Sequence, residues 1–293
     1  MKRFPKLKGI FPPLLTPMFD NGALDMEGYR KMTNIILESN DVNGLFVMGA
    51  TGEYPHLSSD EKIEILKVFS SIDKKGKVIA ANVTGKDAQE TTAMMKLAAD
   101  CGIDIAFVIS SFLTDSNVED ACGEIEKAGI PFMVYFSPFL KDEGCDIIKL
   151  VGELMKHPSF VGLKDSFGDM EDFSSLCALY GDEISVFEGI EMLFLPALAC
   201  GADGIIGGGL NFNPGIFTEI KNKFDMRDCS AAVKLQHKAI MNWRSVENKA
   251  ILLCKKIWKE KGIINGAFSR YYKDSSVLDE ELAAAKKMFK YNI

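Results

Sequence analysis

Short apolar runs recur along the chain, at residues 9–15, 44–48, 78–81, 105–109, 132–136, 160–163, 184–187 and 204–206. Most are bounded by Gly, Pro, Asp or Ser and are rich in Val, Ile and Phe. They do not alternate apolar with polar positions, which is the pattern of strands covered on both faces of a parallel sheet. Between them, residues 26–38, 60–70, 87–100 and 170–180 repeat apolar positions at helical spacing. Ser58-Ser59-Asp60-Glu61 ahead of Ile63 predicts a helix start, with Ser58 as the cap and Glu61 reaching back.

This alternation predicts an α/β protein, a (β/α)8 TIM barrel, with a doubly wound open sheet as the other possibility. Polar and glycine residues gather just after the runs, at 49–53, 110–111, 137–138, 164–166, 189–191 and 207–209. A barrel brings those ends to one mouth, whereas an open sheet strings them along an edge, and this favours the barrel. Beyond Asn222 the alternation stops, and residues 228–243, 247–260 and 279–291 read as helices. The expected organisation is a barrel carrying the site over residues 1–224 and a C-terminal three-helix extension over 225–293.

Composition narrows the function. A chain of 293 residues suits one α/β barrel, and 47% hydrophobic residues supply a large core. A formal net charge of −7 without a basic stripe argues against nucleic acid as a partner. The seven cysteines are widely spaced and never form CxxC, so neither a disulfide framework nor a structural zinc site is expected. The basic start, Met1 to Lys6, is followed by no long apolar stretch, and residues 192–206 are broken by Pro196, Gly201 and Asp203. No signal peptide and no membrane partner are therefore expected, and the protein reads as cytoplasmic.

Lys164 directly follows the sixth run and is expected at a strand end facing the mouth. A lysine amine, with an ordinary pKa of about 10.4, is protonated at neutral pH. Partial desolvation favours the neutral form that attacks a carbonyl to make a Schiff base. Pairing with Asp165 is the other reading. Tyr135, in the preceding run, would stand beside Lys164 in a barrel, where a phenol can move protons. A half-buried structural tyrosine fits that position too. Gly49-Ala50-Thr51-Gly52-Glu53 could converge backbone N–H groups and the Thr51 hydroxyl on a carboxylate, or could simply be a tight turn needing positive φ. Gly207-Gly208-Gly209 occupies the place where many barrels bind phosphate, but no Lys or Arg follows until Lys221. The histidines His56, His157 and His237 lack ligand spacing, and only His56, which follows the Thr51 loop, could approach the mouth.

Together these residues resemble a known family. Gly49-Ala50-Thr51-Gly52-Glu53 is similar to the GTTGE or GSTGE loop of the dihydrodipicolinate synthase and N-acetylneuraminate lyase superfamily. Tyr135-Phe136-Ser137-Pro138 resembles its YNxP motif, Gly162-Leu163-Lys164-Asp165-Ser166 its lysine motif, and Gly201-Ala202-Asp203-Gly204 its eighth-strand signature. The resemblance spans essentially the whole chain. It implies a class I pyruvate-dependent aldolase, a carbon–carbon lyase with a covalent Schiff base on Lys164 and no cofactor or metal. By the same resemblance, Tyr135 would be the proton shuttle, and Thr51 would bind the keto-acid carboxylate and hold Tyr135 in a relay. Gly49 and Ala50 would flank that carboxylate, and Ile206 and Gly207 would offer backbone beside bound pyruvate. Ser166, Gly189 and Glu191 match positions that meet the substrate's hydroxyl chain. The partners implied are a small keto acid and an aldehyde, in a homotetramer built as a dimer of dimers.

Departures select among family members. Leu140 stands where the synthase has arginine, Ser111-Phe112 replaces a tyrosine pair, and Ala50 replaces the loop's first hydroxyl. These disfavour the synthase and point to a 2-keto-3-deoxy sugar-acid aldolase of the 2-keto-3-deoxygluconate kind, with sialic acid lyase next. A keto-acid dehydratase or deaminase with the same Schiff base, and a non-catalytic keto-acid binder, stay open.

Overall fold

Eight strands, β1 (Gly9–Ile10), β2 (Gly44–Val47), β3 (Val78–Asn82), β4 (Ile105–Ile109), β5 (Phe132–Phe136), β6 (Phe160–Asp165), β7 (Ser185–Glu188) and β8 (Gly204–Ile205), make one parallel sheet. They come from a computed structural model that describes residues 4–113, 117–137, 146–274 and 276–291. The hydrogen-bonded order runs β1-β8-β7-β6-β5-β4-β3-β2. Closure comes just beyond β1, where Phe46 N donates to Pro12 O at 3.0 Å and Leu14 N donates to Phe46 O at 2.8 Å. The sheet is thus a (β/α)8 barrel. β1 is much shorter than the run 9–15, because Pro12 and Pro13 carry no N–H for a ladder.

Inside and outside alternate along each strand. Phe11, Phe46, Phe107, Met133, Tyr135 and Phe187 fill the barrel interior. Leu45, Val108, Val134, Leu163 and Val186, on the opposite faces, join the core shared with the helices. Both faces are apolar, which is why the strands show no polar alternation in sequence.

The barrel helices are α1 (Met26–Glu38), α2 (Ser59–Val68), α3 (Ala88–Asp100), α4 (Val118–Ile125), α5 (Ile147–Leu154), α6 (Met170–Tyr180), α7 (Phe194–Cys200) and α8 (Pro214–Asp225). Ser58 and Glu61 form the expected capping box at α2. Three further helices follow, α9 (Cys229–Arg244), α10 (Ala250–Glu260) and α11 (Asp279–Met288). α11 ends earlier than the run 279–291 because the chain leaves the helix to dock. Lys290 N donates to Phe212 O at 2.8 Å, and Tyr291 Oη donates to Leu210 O at 2.8 Å. No described helix is long and apolar enough to cross a membrane.

Candidate active site

Register decides where the lysine goes. Between β5 and β6 the pairing shifts at Phe132/Met133, so Met133 faces Gly162 and Tyr135 faces Lys164. A Cβ at Gly162 would come within 2.4 Å of Ser185 O, so the close approach of β7 needs glycine there. Lys164 belongs to β6 itself, one residue further inside the strand than the apolar run indicates. Its side chain enters the barrel and is 5% exposed. The amine lies 4.2 Å from the centroid of the Tyr135 ring and 5.3 Å from that of Phe46. Asp165 falls on the opposite face, where its Oδ1 accepts from Phe167 N at 2.7 Å.

The turn after β7 closes over the lysine. Glu188 Oε1 accepts from Gly189 N at 2.9 Å and from Ile190 N at 2.8 Å. Burial pushes the Glu188 carboxyl up to about 8, with the Asp165 and Glu191 charges adding to the shift. The turn carries Gly189 so near the lysine that a Cβ there would sit 2.8 Å from Lys164 Cε and 1.9 Å from Ser166 Oγ. Ser166 Oγ is buried without a hydrogen-bond partner, beside the lysine stem. Gly189 and Ser166 therefore do gather at Lys164.

Glu191, Ile206 and Gly207 lie near but are engaged otherwise. Glu191 is 3% exposed, and its Oε1 accepts from Gly209 N at 2.6 Å, closing the turn after β8. Burial raises its pKa, and the Lys164 charge partly offsets this. A Cβ at Gly207 would press on Glu191 Oε1 at 2.7 Å, so glycine makes room for that carboxyl. Ile206 packs inside the barrel, and its N–H is donated to Glu188 O at 2.9 Å.

The loop after β2 differs from a glycine-driven turn. Its left-handed residues are Met48 (φ 57°) and Glu53 (φ 60°), not the glycines. Gly49 and Gly52 answer a spatial need instead. A Cβ on Gly49 would meet the Phe46 ring at 2.5 Å, and one on Gly52 would meet Leu14 O at 2.9 Å. Two cavities flank the loop. One, of about 220 Å³, is lined by Tyr135, Ser137, Asn82, Ile109, Tyr54 and Ala50 among others. The other, of about 160 Å³, lies between Thr51, Gly208 and the C-terminal helices at Trp243 and Ile251. Ala50 lines both, whereas Thr51 lines only the second.

Ser111 and Phe112 turn into a separate cleft with residues of α3 and α4. Pro138, Leu140 and Cys145 lie outside the described residues. Four other cysteines, Cys101, Cys122, Cys177 and Cys254, are buried, and no metal-binding cluster occurs among the described residues.

Sequence reasoning overlooked what anchors the loop. Glu53 and Lys255 form an ion pair at 2.5 Å, with both side chains wholly buried. Lys255 also donates to Phe268 O at 2.8 Å. Tyr271, from the segment before α11, lines both cavities beside Ala50. The polar patch at residues 270–276 and the carboxylate ending the loop were the signals available, but nothing local joined them.

A model of the dihydrodipicolinate synthetase family matches residues 6–279. The chain is 28% identical over 291 residues to an N-acetylneuraminate lyase of Actinobacillus pleuropneumoniae serotype 5b (strain L20), covering 97% of this chain and 98% of the relative. It is 29% identical over 238 residues to a 4-hydroxy-tetrahydrodipicolinate synthase of Methanoculleus marisnigri, covering 78% of this chain and 80% of the relative. Among solved structures, CdNal from Clostridium difficile, in complex with mannosamine, superposes with a TM-score of 0.87 at 25% identity over 98% of this chain and all (100%) of that one. Lyases of this family act through a Schiff base on a lysine and take no external cofactor. With a match over nearly its whole length, the chain belongs to the dihydrodipicolinate synthetase family and is a carbon–carbon lyase of the class I aldolase type.

Proposed function

We propose that the protein cleaves, or forms, a 2-keto-3-deoxy sugar acid of the 2-keto-3-deoxygluconate kind, giving pyruvate and an aldehyde. One observation carries this reading: the amine of Lys164, enclosed by the barrel, lies 4.2 Å from the ring centroid of Tyr135. In the proposed reaction Lys164 Nζ adds to the C2 carbonyl, and loss of water leaves an iminium. Tyr135 Oη takes the proton of the C4 hydroxyl. The C3–C4 bond then breaks, its electron pair passing to C3 and the iminium to give an enamine, and the aldehyde departs. Protonation at C3 and hydrolysis release pyruvate and restore the amine.

The remaining roles belong to the same proposal. The orphaned Ser166 hydroxyl beside the lysine stem would meet a substrate oxygen, with Gly189 clearing the space. Thr51 and the backbone at Gly49 and Ala50 would receive the carboxylate. Ile206 and Gly207 would border bound pyruvate, and Glu191 would act by shaping the turn after β8. The proposed assembly is a cytoplasmic homotetramer, with residues 1–224 as the barrel and 225–293 as its extension. N-acetylneuraminate cleavage is the second reading, supported by the names of the relatives.

Reduction with borohydride in the presence of pyruvate tests the central step. Wild-type protein should gain the mass of a reduced pyruvate adduct on Lys164, and Lys164→Ala should gain none and release no pyruvate from either substrate. Retained turnover in Lys164→Ala would refute the assignment. Pyruvate release from 2-keto-3-deoxygluconate against N-acetylneuraminate separates the two readings.

A further inference from the structure

The segment 268–271 is bonded to the loop after β2 through a single buried carboxylate. Glu53 Oε2 accepts from Ser269 Oγ at 2.8 Å, Arg270 N at 2.6 Å and Tyr271 N at 3.0 Å, while Oε1 holds Lys255. The Arg270 guanidinium adds bonds to Glu61, to His56 O and to Gly22 O. The backbone at Tyr271 is therefore fixed against the loop that contains Ala50. Its ring stands edge-on to His56 at 6.2 Å and to Tyr272 at 5.1 Å, yet the residue is 47% exposed. It lines both cavities on either side of Ala50, one of them shared with Tyr135. Ala50 is the smallest side chain that loop position can carry short of glycine. An aromatic ring on a pinned backbone, with area left uncovered beside the cavity that Tyr135 lines, is a contact surface for whatever extends outward from Lys164.

We infer that Tyr271 is a specificity-determining residue of the aldolase site. Its ring forms the wall against which the aldehyde half, from C4 outward, packs, while the pyruvate half stays on Lys164. This rests on the Schiff-base reading above.

The test compares wild type, Tyr271→Ala and Tyr271→Phe in two assays. The first is borohydride trapping with pyruvate alone. The second is condensation of pyruvate with acetaldehyde, which carries only a methyl beyond its carbonyl, and with glyceraldehyde, N-acetylmannosamine and benzaldehyde. Both variants should form the pyruvate adduct as wild type does. In Tyr271→Ala the preference for the best longer aldehyde over acetaldehyde should fall roughly tenfold, the scale of one lost apolar contact. The loss should appear in the KM for the aldehyde, and Tyr271→Phe should keep most of the preference. An unchanged ranking in Tyr271→Ala, with trapping intact, would overturn the role of Tyr271 alone. Equal loss of trapping and condensation in Tyr271→Ala would overturn it in favour of a purely structural part. A wild-type protein that forms no adduct would instead overturn the Schiff-base reading beneath it.

Discussion

At the residue scale, the site brings an amine and a phenol together inside one apolar barrel. Both were legible in the sequence, because each sits at the end of a run whose strand character is unmistakable and neighbouring runs become neighbouring strands. The expectation that Thr51 holds Tyr135 depended on how a five-residue turn orients its side chains, which no periodicity encodes. Thr51 lines the cavity it shares with Gly208 and Trp243, and Tyr135 lines the other one, with Ala50 lining both. Tyr135→Phe should still give the borohydride adduct while cleavage slows by a factor of ~10² to 10⁴, the usual worth of a positioned acid–base group. Cleavage at the wild-type rate, measured by pyruvate release, would remove Tyr135 from the mechanism.

At the scale of elements, the strands and helices follow their sequence signals closely, and departures occur where tertiary contacts or proline take over. α1, α6, β4 and β5 match their patterns end to end, while β1 stops at Pro12 for want of N–H donors. The turn after β7 depends on a feature no local pattern shows, a buried carboxyl beneath it. Glu188 is 2% exposed, and its pKa of about 8 means that the folded protein keeps a proton which the unfolded chain releases near the ordinary 4.5. The stabilisation linked to that proton is complete below pH 4.5 and is lost as pH rises through 8. Glu188→Gln retains an oxygen that can accept from Gly189 N and Ile190 N but has no proton to lose. Its stability relative to wild type should therefore rise progressively between pH 5 and 8.5, values that bracket about the two pKa figures. Denaturant titrations across that range read the difference directly, and parallel curves would show that Glu188 titrates as an ordinary surface carboxylate.

At the scale of the whole molecule, the barrel is stitched to the helices that follow it by contacts between residues about two hundred positions apart. Glu53 belongs to the loop after β2 and Lys255 to α10, and both side chains are fully buried where they pair. The sequence makes the barrel readable through repetition, but it contains no comparable signal for this pairing. A lysine on a helix reads as solvated until its neighbours in space are known. Burial lowers the Lys255 pKa and the Glu53 charge opposes that shift, so the pair is stable as a unit and costly to break. Lys255→Met keeps the stem but leaves Glu53 with a buried charge held only by Ser269 Oγ and the backbone N–H groups of Arg270 and Tyr271. It should destabilise the protein by about 3–5 kcal/mol. The wild-type chain should unfold in one transition, because the strut crosses from the barrel into the extension. If the pair is what couples them, Lys255→Met should broaden or split that transition, with fluorescence from Trp243 and Trp258 of the extension changing before the circular dichroism of the barrel. A single sharp transition at wild-type stability would mean that the apolar contacts of α10 join the two parts without help from the ion pair.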